Sequence, residues 1–533
     1  MDIAFKLVLL GATLILSHLI WNYFRSPLKS FPGPFSANLS NLWRLQDVFK
    51  GLCDITHNEL HRRYRSAVCI GPNVLSLSDP ALINQVYSTR DPWVKVSSER
   101  TQDPQHSDVY NVNDSVVSGV RIKNLFSHQD EQWHANQELE PGVDITINLF
   151  LESEYINYFT WDTMSQLSYS QSIGMLEAKN DRFGILEVSN RSLDYFASPK
   201  TLISSFLQVC QIPMLDLLLD KNPICRLGPP SFGWSVKFSA EQYQERFTEG
   251  KQSHNGIKDF LDRYIETKSK MPNIVDDNVA QMYLVLNIIA GSDTTARAIS
   301  AAVYYEELRG ANLSTPPQWK EIRSLPYLDA VMRETMLVHP GVGLLLERIV
   351  PKGGFTLPDG RFVPEGTIVG MNPWVINRNR TVFGPEPDSF KPERWLPAEG
   401  EHDEAYQTRF SKMKGTDLTF GAGPRACLGR YISQLESYKF VATLFTMFDV
   451  SFGCLQDLEH PDHEWEVTNS WFVRQKNIPV VIQKKKVLNC TPSVQWASTA
   501  LMYMPQRESF SRALPPLHCG QKFQIGTSKL QHD

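Results

Sequence analysis

Residues 420–429 read FGAGPRACLG, and this stretch constrains the chain more than any other. One cysteine, Cys427, stands behind Gly421, Gly423 and Arg425 and directly before a helix-like run from Leu428 to Phe448. A thiolate that holds a metal needs backbone N–H groups aimed at its sulfur, and the two glycines allow the tight backbone that aims them. A helix beginning at the cysteine adds the positive end of its dipole, which favours the deprotonated sulfur. The competing account is a buried cysteine acting as a small hydrophobe. Zinc or iron–sulfur chemistry would require further ligands close by, yet the next cysteine is the distant Cys454 and the chain has no C-x-x-C pair.

All six fixed positions of F-G-x-G-x-R-x-C-x-G are present, as Phe420, Gly421, Gly423, Arg425, Cys427 and Gly429. The stretch resembles the haem-binding loop of the cytochrome P-450 superfamily. That resemblance implies haem b with Cys427 as the axial ligand to iron. It also implies oxygen activation, because a proximal thiolate pushes electron density onto the metal. The fold implied is mainly α with a small β-rich part.

Residues 276–309 contain no proline and open on acidic side chains, so a long helix is expected there. In its middle, residues 290–295 read AGSDTT. A glycine inside a helix costs about 1 kcal/mol relative to alanine, so Gly291 serves either close helix packing or a loosened turn beside a ligand. The hexapeptide resembles the oxygen-activation motif of the superfamily's central helix. By that match Thr294 would hydrogen-bond bound dioxygen, Asp293 would supply protons, and Ile289 and Ala290 would border the substrate space. Val342, Gly343 and Trp471 are expected on the same side.

Residues 324–340 resemble the helix that braces the haem loop, with Glu334 in the family's glutamate position and Leu337 where an arginine is expected. Arg394, in the PERW of residues 392–395, matches the arginine that joins this glutamate. With Leu337 in place, the resemblance implies a buried cluster of only two members and a poorly paired Glu334. Arg348 and Arg425 match positions that meet the haem propionates, and the forked guanidinium suits a carboxylate. Trp133 matches a further propionate-side position, although Gln137 replaces the arginine that usually follows. Compared with the family, segments are missing near 137 and over 306–320.

Residues 7–24 carry no formal charge and are just long enough for a transmembrane helix, with Arg25 and Lys29 following. A cleaved signal peptide is disfavoured, because no small-x-small site follows. Together these features predict residues 1–30 as a membrane anchor and the start of a linker, and 31–485 as the catalytic domain. The remainder, 486–533, shows no periodicity and is expected to be an unstructured tail. Residues 471–485 read as a closing hairpin. The expected location is the endoplasmic reticulum membrane, single-pass, with the catalytic domain in the cytosol.

A net charge of −5 gives no support for nucleic-acid binding, and eight unpatterned cysteines read as thiols of a reducing compartment. The wording of residues 31–485 resembles filamentous-fungal members of the pisatin-demethylase type. It implies a monooxygenase taking O2, electrons from NADPH through a separate membrane reductase, and a lipophilic small-molecule substrate of secondary metabolism. A haem-thiolate isomerase or dehydratase is the alternative, as is an impaired relative carrying Leu337 and the two gaps.

Overall fold

The N-terminal apolar stretch folds as one helix, α1 (Asp2–Arg25). Among the described residues no helix is long and apolar enough to cross a membrane. The transmembrane span expected over residues 7–24 is therefore overturned, and the single-pass endoplasmic-reticulum location with it. Thr13, Ser17, His18 and Asn22 interrupt the apolar run. The Thr13 hydroxyl turns back onto the Leu9 carbonyl, and Asn22 Nδ2 donates to the Leu39 carbonyl at 3.2 Å, docking the helix end on the rest of the chain.

The computed structural model describes residues 2–90, 93–95, 147–193, 232–248, 258–272, 275–305, 313–314, 316–452, 466–469, 472–476 and 479–484. Trp133, Gln137, Trp471 and the tail 486–533 lie outside the described residues. So do most of the two segments where the sequence falls short of the family it resembles.

Following α2 (Cys53–Tyr64), the runs AVCIG and VLSL are buried along their whole length as strands β1 (Ala67–Gly71) and β2 (Val74–Leu77). Continuous burial rather than alternation marks a sheet covered on both faces. Further along come β3 (Ile147–Leu151), α3 (Glu152–Tyr169) and the central helix α4 (Asp277–Tyr305). At 1.5 Å per residue, α4 reaches about 43 Å. After it come α5 (Pro326–Val338), β4 (Arg348–Ile349) and β5 (Ile368–Met371). Proline at its first position starts α5, where a missing N–H costs nothing.

The last part holds α6 (Asp403–Thr416), α7 (Arg430–Met447), β6 (Phe448–Phe452), β7 (Glu466–Asn469), β8 (Val473–Lys476) and β9 (Pro479–Lys484). The main sheet has order β1-β2-β5-β4, with β2 and β5 parallel and the other pairs antiparallel. The expected hairpin over 471–485 does not form. β8 pairs with β7, whereas β9 lies between β3 and β6 in a separate sheet.

Helix α4 packs on α3, α5 and α7, so the described fold is mostly helical with small sheets at its flank. One apolar cluster joins Ala296 and Ile299 of α4 to Met332 and Met336 of α5 and Tyr438 and Val441 of α7, with Phe420 against it. A second gathers the sheet with Leu28 and Phe31, so the segment that follows α1 is packed against the sheet. Its Gly33 is in close contact with β1, because a Cβ there would sit 2.0 Å from the Cys69 carbonyl oxygen.

Candidate active site

The cysteine loop is closed by two backbone bonds, Gly421 N–H to the Leu418 carbonyl at 2.8 Å and Cys427 N–H to the Phe420 carbonyl at 2.7 Å. Gly421 and Gly423 both have φ of +68°, the left-handed region that a side chain disfavours. For Gly423 space is excluded as well, since a Cβ would meet the Tyr87 carbonyl oxygen at 2.0 Å. α7 begins at Arg430 with Gly429 as its N-cap, three residues after the cysteine.

Cys427 is exposed, yet burial raises its thiol above the ordinary value. The backbone N–H groups of Gly429 and Arg430 and the Arg430 charge act in the opposite direction. These are the groups that a thiolate ligand requires, and a bound metal deprotonates such a thiol outright.

Arg348 lies on β4 with its guanidinium 4.8 Å from the centre of the Tyr87 ring. The same tyrosine hydroxyl donates to the Leu346 carbonyl and accepts from Met371 N–H, which fixes the stacking partner. Burial lowers the pKa of Arg348, and the like charge of Arg425 adds to the effect. Lys95, bridged to Arg348 as an isolated β-pair, is lowered by burial and then by Arg348 and Arg425. Three cations thus converge beside the cysteine loop. With the sulfur and its N–H donors they form a donor set that fits haem, whose two propionates are anionic. Lys95 carries no sequence signal of its own, because only the pairing of residue 95 with β4 brings it to Arg348.

Asp293 and Thr294 lie on an unbroken stretch of α4. Thr294 Oγ1 donates to the Ala290 carbonyl at 2.7 Å, one helical turn back. Asp293 is 2% exposed and pairs through Oδ1 with Arg297 at 3.0 Å, while its Oδ2 has no hydrogen-bond partner among the described residues. Arg297 and Arg474 of β8 both donate to Asn190 Oδ1, so a buried polar cluster surrounds the acid. Gly291 packs closely on α3, since a Cβ would stand 2.7 Å from the Met164 sulfur. Among the expected pocket residues, Ala290 is exposed, Val342 half-buried, and Ile289 packed against the cluster around Trp161 and Leu284. Gly343 is buried beneath Asn469.

Glu334 is fully buried and well partnered. Arg394 Nε reaches both of its oxygens at 2.8–2.9 Å, Lys391 N–H donates to Oε1 at 2.8 Å, and Trp395 Nε1 donates to Oε2 at 2.8 Å. The poor pairing expected from Leu337 is therefore corrected, because an indole and a backbone amide serve where a second arginine was expected. Leu337 itself is buried in an apolar cluster with Phe383, Trp395 and Met413. A separate groove of about 1440 Å³ between residues 380–394 and α6 is lined by ion-paired side chains and does not include Cys427.

A family model described as Cytochrome P450 matches residues 148–477. The chain is 34% identical over 524 residues to cytochrome P450 monooxygenase cfoH of Aspergillus candidus, covering 89% of this chain and 92% of that protein. It is 34% identical over 496 residues to cytochrome P450 monooxygenase cicH of Emericella nidulans, covering 84% and 92%. Cytochrome P450 monooxygenase mpaDE of Penicillium brevicompactum is 29% identical over 534 residues, 90% of this chain and 58% of that protein. The family implies haem held by a cysteine thiolate, a redox partner, O2 and a small-molecule substrate. With that family match and those identities, the chain belongs to the cytochrome P450 family and is an oxidoreductase that incorporates molecular oxygen.

Proposed function

We propose that the protein inserts an oxygen atom into a lipophilic small molecule of fungal secondary metabolism, with electrons from NADPH delivered by a separate reductase. The observation that carries this reading is the Cys427 sulfur at the start of α7, with the Gly429 and Arg430 N–H groups aimed at it and three cations alongside. The similarity to fungal cytochrome P450 monooxygenases such as cfoH and cicH supports the substrate class. The organisms of the relatives support the fungal setting.

Haem b bound through a cysteine thiolate supplies the activation of O2. Cys427 would hold the haem iron, and the Gly429 and Arg430 N–H groups would moderate the charge on its sulfur. Phe420, Gly421, Gly423 and Gly429 give the loop its shape. Arg348, Arg425 and Lys95 would hold the two propionates. Glu334 of α5 and Arg394 of the segment 392–395 would have a structural role, joining these two segments. Thr294 donates a hydrogen bond toward the oxygen site, exchanging the Ala290 carbonyl for it. Asp293 passes protons through the oxygen that Arg297 leaves unpartnered. Ile289, Ala290, Val342 and Gly343 would form the substrate side.

The test is Thr294→Ala in the haem-loaded enzyme with a cytochrome P450 reductase. Haem content should be unchanged, while hydrogen peroxide formed per NADPH consumed rises severalfold. An unchanged ratio would remove Thr294 from proton delivery and leave it a packing role.

A further inference from the structure

Away from the cysteine loop, the loop 341–343 is held from two sides by buried amides. Asn469, the last residue of β7, is fully buried, and its Nδ2 donates to Asp54 Oδ1 at 3.2 Å and to the Gly343 carbonyl at 3.3 Å. Asn372 Nδ2 donates to the same carbonyl at 2.7 Å and to His57 Nδ1 at 3.2 Å. The neighbouring strand adds Val473 N–H to the Gly341 carbonyl at 2.8 Å, and Asn469 N–H reaches the Gly51 carbonyl at 3.2 Å. Gly343 is required by this arrangement, since a Cβ would lie 2.1–2.4 Å from the Asn469 amide. Burial raises the Asp54 carboxyl, and the Asn469 amide is the first group opposing that rise. A buried carboxylate is a costly way to fasten a loop unless the position of the loop matters.

We propose that Asn469, anchored by Asp54, is a positioning residue that sets where the loop 341–343 stands and so determines which bulky ligands the site admits. The inference rests on the reading of Val342 as a substrate-side residue. It adds that the loop's position is fixed from behind, by a strand and a helix that do not touch the ligand. Without the clamp, Asn372 alone retains the Gly343 carbonyl and Val342 gains freedom to move.

The test uses full-length haem-loaded protein and two probes that bind haem iron through nitrogen, imidazole and clotrimazole. Imidazole is too small to meet the loop, whereas clotrimazole fills the space above the haem. In Asn469→Ala and in Gly343→Ala, clotrimazole affinity should change by about tenfold while imidazole affinity stays within about twofold, a split that a general loss of stability would not produce. In the Asn469→Ala background Gly343→Ala should lose its effect, because the amide that its methyl group strikes is gone. Asp54→Asn keeps an acceptor for Asn469 and should behave as the unmodified protein. If Asn469→Ala does not load haem, Gly343→Ala alone carries the test. Clotrimazole affinity unchanged in haem-loaded variants overturns the clamp while leaving the haem reading intact. Failure of both azoles to bind the unmodified protein overturns the haem reading and the clamp with it.

Discussion

At the level of single residues, the two loop glycines make different demands. Gly421 has open space around its missing side chain, with nothing nearer than 3.8 Å, so Gly421→Ala meets only the left-handed backbone penalty of about 1–2 kcal/mol. Gly423→Ala adds a collision with backbone that cannot yield. We predict that Gly421→Ala retains most of its haem and Gly423→Ala loses it, as read from the ratio of haem to protein absorbance; equal loading would contradict this. Glu436 of α7 is a second weak point. It is buried with neither oxygen hydrogen-bonded among the described residues, and burial pushes its carboxyl up to about 8. A folded value above the unfolded one of about 4.3 stabilises the protein fully below the unfolded value, and the contribution is lost as pH rises toward 8. Unfolding free energies from denaturant titration should therefore fall between about pH 5 and pH 8, by an amount on the order of a few kcal/mol, and Glu436→Gln should abolish most of that fall. Parallel pH profiles for the two proteins would refute it. The cysteine loop was legible because its chemistry is contiguous in sequence. Lys95, Arg297 and Trp395 were not, because each acts on a residue that only a strand pairing, a helical turn or a tertiary contact places beside it.

At the level of elements, the junction between α5 and the segment 390–395 turns on Glu334. Removing Arg394 leaves a buried carboxylate without its charge partner, which costs about 3–5 kcal/mol. Trp395→Phe removes one hydrogen bond to it and costs about 1–3 kcal/mol. Thermal unfolding of the holoprotein should order Arg394→Ala well below Trp395→Phe, and the reverse order would show that the indole dominates. Leu337→Arg should also destabilise, since it places a cation in the cluster of Phe383, Trp395 and Met413. The family pattern alone would have suggested a gain. α4, α5 and α7 were readable from composition, proline placement and motif, and their observed limits lie close to those expected. The strands within residues 471–485 were recognisable as strands, but their partners were not, and β7 was not read at all. β-branched residues disclose an extended backbone, whereas the choice of β3 and β6 as neighbours of β9 depends on chain folding far away.

For the molecule as a whole, the first forty residues illustrate how local hydrophobicity can mislead. α1 reads as a membrane span in sequence, while its end docks through Asn22 and the chain beyond it supplies Leu28 and Phe31 to the core of the sheet. Burying such side chains is worth about 1.5–3 kcal/mol each. Deleting residues 1–24 should leave the unfolding midpoint of the haem protein nearly unchanged, and deleting residues 1–34 should lower it sharply. Similar midpoints for the two truncations would show that Leu28 and Phe31 contribute little. Everything proposed about chemistry depends on one bond, from the Cys427 sulfur to haem iron. The most direct measurement is the carbon monoxide absorption spectrum of the reduced full-length protein beside that of Cys427→Ser, with circular dichroism to establish that both are folded. The unmodified protein should give the thiolate-type spectrum and the variant should lack it. A thiolate-type spectrum that survives in Cys427→Ser, or one that never appears in the folded unmodified protein, would contradict the assignment.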